Sequence, residues 1–159
     1  GMALAGAVRD KLRLIQALEA ALVNPDAHTN PADWHARWEA LLPLEGGYEA
    51  VLRGRFDAAL AALDNGREAY ARQLEANREQ LMHELLRLEI AAGIDSGAEF
   101  ARERLKLQVE VLQSSLKSGQ KPGTQTAGLR ELLGLPALAD ARTETRIEQL
   151  LLRHAKDGR

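Results

Sequence analysis

Two tryptophans one helical turn apart, Trp34 and Trp38, are the residues of this chain best suited to recognising another molecule. Exposed, they would fill a partner's pocket or stack on a base. Buried, Trp38 would hold its helix against the next one while Trp34 half-covers the edge. A large aromatic on an apolar stripe is usually core. We therefore expect Trp38, Arg55 and Phe56 to form a structural anchor, and keep Trp34 as a candidate for surface contact. Arg55 borders the apolar face of its helix. It can lie over Trp38 or pair with an acid such as Glu39, a planar contact that lysine does not reproduce.

The basic stretch Arg102 to Lys121 is the second chemical feature. Arg102, Arg104, Lys106, Lys117 and Lys121 stand against Glu103 and Glu110. So few phosphate contacts would give weak, salt-sensitive binding to nucleic acid, and no aromatic follows Phe100 to stack a base. A solvated helix face accounts for these charges more simply. Arg102, Arg104 and Lys106 remain the candidate interaction surface.

Catalytic patterns are missing from the sequence. His28, His35, His83 and His154 lack metal-ligand spacing, and adjacent His83 and Glu84 point to different faces of a helix. There is no cysteine, no GxSxG turn and no phosphate-binding glycine loop. Ser114 and Ser115 lie near a helix end, where serine occurs for local reasons. Acidic residues sit mostly opposite the apolar seams, as in the solvated sets Glu68/Arg72 and Glu99/Glu103/Lys106. We expect no enzyme, no metal and no cofactor.

Leucine and alanine dominate the apolar 45% of the 159 residues while aromatics make up only 4%, a balance that favours helices over strands. The formal charge of −2 gives no bulk attraction for nucleic acid. No apolar run reaches the roughly 18 residues that would span a bilayer. The opening GMALAGAVRDKLRLI lacks a basic segment ahead of its apolar stretch and makes a poor secretion signal. With no cysteine to oxidise, a cytoplasmic location is expected. Gly1 reads as an expression scar, and Met2 as a native start or a cut inside a longer protein.

Helical spacing organises the chain from end to end. Leu4, Val8, Leu12, Ile15, Leu18 and Leu22 make a first stripe that Asn24-Pro25 ends. Asn30-Pro31 opens a short helix carrying Trp34, Trp38 and Leu41, which stops at Pro43. After Gly46-Gly47, a third helix presents Tyr48, Val51, Leu52, Phe56, Leu60 and Leu63, and Asp64-Asn65-Gly66 breaks or kinks it. Tyr70, Leu74, Asn77, Leu81, Leu85, Leu88 and Ala92 form a long seam closed by Gly93. Ser96 and Glu99 read as a capping box for a helix whose seam is Ala98, Ala101, Leu105, Val109, Leu112 and Leu116.

These two seams predict an antiparallel coiled-coil-like hairpin, about 67–92 and 96–117, packed by shorter helices in an all-α bundle. Residues 1–117 then hold the Trp unit and hairpin. The Gly- and Pro-bearing 118–126 reads as a linker, and 127–159 as a C-terminal helical pair on the same bundle, its last helix from about 141 to 155. A shift of 91 residues sets Arg55-Phe56 against Arg146-Ile147 and Leu60 against Leu151, an echo that a degenerate repeat would leave.

Trp38, Pro43, Leu52, Arg55 and Phe56 resemble the spacing of the bacterial family called domain of unknown function 349. Residues 87–112, RLEIAAGIDSGAEFARERLKLQVEVL, look like the helical hairpin that follows the last such domain in proteobacterial members. The family often has an aromatic where this chain has Arg53, and another where it has alanines and Leu60, which weakens any aromatic surface patch. The resemblance implies a C-terminal piece of a larger intracellular protein, or a reduced stand-alone form, and brings no activity with it. The expected function is a helical scaffold for protein partners, self-association included. A nucleic-acid-associated accessory module is the rival.

Overall fold

A computed structural model describes residues 1–27, 29–118 and 125–158, with backbone alone for 118, 125–127 and 158. Eight α-helices and one 3-10 turn account for its regular structure, with no strand among the described residues. The helices are α1 (Met2–Val23), α2 (Pro31–Glu39), α3 (Tyr48–Asp64) and α4 (Arg67–Ala76), then α5 (Arg78–Ala92), α6 (Ala101–Ser118), α7 (Gln125–Gly134) and α8 (Ala141–Gly158). Most of the expected linker, 119–124, lies outside the described residues; Ser118 ends α6, while Gln125 and Thr126 open α7.

Helix α1 forms the centre. Val8, Leu12, Ile15, Leu18 and Leu22 are buried along it, and α2, α3, α4 and α8 all pack on it. Leu52, Phe56 and Ala59 of α3 meet this stripe from one side, and Ile147, Leu150 and Leu151 of α8 belong to the same cluster. Helix α7 bridges α3 and α5. The contact with α3 is close: a Cβ at Gly134 would stand 2.7 Å from Val51 Cγ1.

Local chemistry fixes the helix ends. The Asn30 side chain accepts the Ala32 N–H at the start of α2, with Pro31 beside it. Asn65 is extended and Gly66 has φ 77°, so the 64–66 segment separates α3 from α4 completely. Gly93 takes the left-handed conformation and the Ile94 N–H reaches back to Glu89 O at 2.9 Å, a Schellman closure of α5. Asp140 caps α8 by accepting the Thr143 N–H at 2.8 Å.

The hairpin differs from expectation in three ways. The 67–92 helix is interrupted at Asn77. There the 135–140 segment docks: Leu138 N–H donates to Leu74 O, and Asn77 Nδ2 donates to Pro136 O at 2.8 Å. An outside donor on the helix ladder is a known cause of kinks. The expected capping box is absent too, because Ser96 Oγ accepts from Arg104 and Glu99 pairs with Arg142.

The third difference concerns the seams. Leu81 and Leu85 of the first are buried, with α7 and α8 on α5. The α6 seam instead faces water. Helix α6 turns Leu107 inward, with Arg104, Val111 and Ser115 half-buried on the same side. At 100° per residue, Leu105, Val109, Leu112 and Leu116 lie on the opposite face.

Candidate functional site

Trp38 is 2% exposed and its ring stacks on Phe56 at 4.5 Å between centroids, 21° from parallel. Lys11 of α1 is equally buried and holds its Nζ 4.3 Å from the indole centroid. That ammonium donates to Glu49 Oε1 at 2.6 Å. The same oxygen accepts the Leu44 N–H, and Arg53 Nη2 donates to the other carboxylate oxygen. Burial pushes the Glu49 carboxyl up, but Lys11, the Leu44 N–H and Arg53 outweigh it and hold the group below its ordinary value. Trp38 thus sits inside a cage of α1, α2 and α3 with no open ring face to offer.

Arg55 makes one of the two contacts its position suggested: it pairs with an acid, though with Glu19 and not with Glu39. It meets Glu19 of α1 through Nε at 2.8 Å and Nη2 at 2.6 Å, both side chains buried. Nη1 donates to Leu133 O at 2.7 Å and Nη2 also reaches Ala137 O at 3.4 Å. Glu39 stays exposed beside His35, and Arg53 is the arginine nearest the Trp38 ring, at 5.8 Å. One guanidinium therefore ties α1, α3 and the end of α7. Burial pushes the Glu19 carboxyl above its ordinary value in spite of Arg55. Nearby Tyr70 has a buried hydroxyl without a hydrogen-bond partner, its pKa raised by burial and by the Glu19 charge.

A second pair repeats this chemistry across α5 and α8. Arg146 donates through Nε and Nη2 to buried Glu89, and its guanidinium lies 4.2 Å over the Phe100 ring. Arg55 and Arg146 are the arginines matched by the 91-residue shift. Arg67 serves the α1 terminus, donating to Ala21, Leu22 and Asn24 carbonyls.

The surface candidates separate. Trp34 is half-buried on the core edge with Arg37 4.5 Å over its ring. Arg102 and Lys106 are exposed on α6. Arg104 is half-buried and its Nη1 donates to Ile94 O and Ser96 Oγ, which takes it off the basic face. Glu103, Glu110 and Lys117 recur every seven residues along one line, so the flank of α6 carries mixed charge.

Leu105, Val109, Leu112 and Leu116 are 64%, 47%, 60% and 81% exposed, a continuous apolar line on a helix whose opposite side meets the body. No protein-family model, curated protein or solved structure matches this chain. Its chemistry must be read from its own surface.

A cleft of about 320 Å³ opens between α1, α3, α7 and α8 over Leu4, Val8 and Leu151. Tyr48, Arg130 and His154 supply its polar lining. Arg130 Nη1 donates to Gly46 O at 2.7 Å, and burial raises the Tyr48 pKa against the opposing charge of Arg130. Among the described residues no acid lines it. No cluster of three His, Asp or Glu suited to a metal occurs among the described residues. No helix there is long and apolar enough to cross a membrane.

Lys11, Glu19, Glu49 and Glu89 were not among the sequence candidates, and Arg146 entered only as the counterpart of Arg55 in the 91-residue shift. Four of them carried a visible signal, a charge at core spacing: Lys11 between Val8 and Ile15, Glu19 between Ile15 and Leu22, Glu89 between Leu85 and Ala92, Arg146 between Thr143 and Leu150. Glu49 showed none, lying in the first turn of α3 and drawn in by Lys11.

Proposed function

We propose that this chain is a non-catalytic helical scaffold whose α6 docks another protein. The observation that carries the reading is the outward stripe Leu105–Val109–Leu112–Leu116, on the face opposite Leu107. Contiguous apolar surface on an otherwise well-packed body marks interaction sites, and a helix presenting anchors at three- and four-residue steps enters a groove or pairs with another helix. The non-catalytic part draws support from the buried charges. Lys11, Glu19, Arg55, Glu89 and Arg146 are all engaged in ties between helices.

A place within a larger intracellular bacterial protein, similar to domain of unknown function 349, belongs to the same proposal. It is supported by the way Trp38 stacks on Phe56 with Leu52 buried in the same core. The test puts a photoreactive benzoylphenylalanine at Leu112 and irradiates living source cells. A defined protein adduct at this position, absent when the group is moved to exposed Glu75 on α4, is the expected result. Irradiation that yields no adduct from Leu112 overturns the docking role.

A further inference from the structure

We propose that the occupant of the α6 stripe is the α6 of a second copy, laid antiparallel across it. This rests on the reading of α6 as a docking helix. Leu105, Val109, Leu112 and Leu116 step by four, three and four, the d-a-d-a pattern of a two-helix seam. Reversed, the same stripe offers matching layers: Leu105 meets Leu116 of the other copy and Val109 meets Leu112. A two-fold contact needs a patch that complements itself in this way.

Charge sets the direction. Arg102 continues the seam at the next a position and is exposed. A parallel pair would stack Arg102 on its own copy, a like-charge layer that costs affinity. The antiparallel pair sets Arg102 beyond the last leucine layer and brings Lys106 near uncharged Gln113 and Ser115. Opposed helix dipoles favour the same direction.

Area sets the strength. The four side chains, at the exposures given, would remove about 300–600 Å² of apolar surface from water over both copies, taking about 60–120 Å² for each full side chain. Stable interfaces bury about 1,200 Å² or more. The pair is therefore reversible, with a dissociation constant on the order of 0.1 mM.

Sedimentation equilibrium of the full chain should show 17.4 kDa monomer passing to a species of twice that mass as concentration rises through this range. Leu105→Glu/Leu112→Glu should stay monomeric, raising the dissociation constant at least tenfold with unchanged helix content and melting. Direction is read by disulfide trapping, since the chain has no cysteine of its own. Leu105→Cys and Leu116→Cys should each fail to cross-link alone, being about 16 Å apart along the axis, and should cross-link when mixed. Self-linking of either variant overturns the antiparallel arrangement, and no association at 1 mM overturns the second copy altogether. In cells, an adduct that joins Leu112 to anything but a second copy of the same protein overturns the second copy while upholding docking; no adduct sinks the docking role on which it rests.

Discussion

Replacing Arg55 by lysine tests whether one guanidinium holds three helices together. Arg55 is 6% exposed and Glu19 1%, so the pair is out of reach of water. Lysine keeps the charge but offers one ammonium in place of a fork that reaches Glu19 twice and the Leu133 and Ala137 carbonyls besides. At least one buried acceptor then loses its donor, at about 1–3 kcal/mol each. Deleting one partner of a buried pair outright costs about 3–5 kcal/mol. Arg55→Lys should therefore lose about 2–4 kcal/mol, and Arg55→Ala about 3–5 kcal/mol. Against a total stability of about 5–15 kcal/mol, either change is large.

Urea titration followed by tryptophan emission and helix circular dichroism measures both losses. The α3 helix that carries Arg55 also carries Phe56, on which Trp38 stacks, so loosening there reaches the indole. Arg55→Met/Glu19→Met removes both charges, and its loss should be smaller than the sum of the two single losses by at least about 1 kcal/mol. The Leu133 carbonyl stays unpaired in that variant, so full recovery is not expected. A value for Arg55→Lys within about 0.5 kcal/mol of the parent would refute the reasoning. So would additive single and double losses.

Gly134→Ala should destabilise by about 1–3 kcal/mol, because its methyl would meet Val51 Cγ1 at 2.7 Å; adding Val51→Ala should return part of the loss, and a stabilised single variant would show that α7 and α3 are free to separate. Tyr70→Phe removes a buried hydroxyl with no partner, so thermal melting should hold steady or rise, and a drop beyond about 1 kcal/mol would reveal an unseen partner. The stability advantage of the parent over Glu49→Gln should be full near pH 7 and shrink on acidification. The Glu49 carboxyl is held below its ordinary 4.5, so its contribution is present above that pH and is lost as pH falls through the folded value. Denaturation at pH 3 to 7 reads this, and a difference constant across the range would refute it.

Helix positions were legible where local chemistry decides them. Asn30-Pro31, Gly66 and Gly93 each fix an end through a side-chain acceptor, a missing N–H or a left-handed backbone. The interruption at Asn77 was not legible, because its cause lies sixty residues away in the carbonyl of Pro136 and the N–H of Leu138. Arg55 was recognisable as a residue that lysine could not replace, yet its partner was not. Glu19 lies 36 positions upstream on another helix, and only the packing of α1 on α3 brings it near.

The two seams show what periodicity leaves open. Spacing reports that a face is apolar and is silent on what covers it, so α5 and α6 read alike from sequence. They differ in one respect that sequence does contain. The stripes buried inside this molecule hold charges: Lys11 and Glu19 on α1, Glu89 on α5, Arg146 on α8, each matched across a helix interface. A matched buried pair penalises sliding, since any slip strands a charge in the core. The α6 stripe from Leu105 to Leu116 holds none, and Gln108, Gln113, Ser115 and one charge, Lys106, flank it. An interface built on it has no matched buried pair to fix its register, so Arg102 and Lys106 toward one end are what oppose misalignment. Exchanging Arg102 for leucine should therefore turn the repulsive 102–102 contact of the parallel pair into an apolar layer and admit the parallel register, detectable as self-linking by Leu105→Cys in that background.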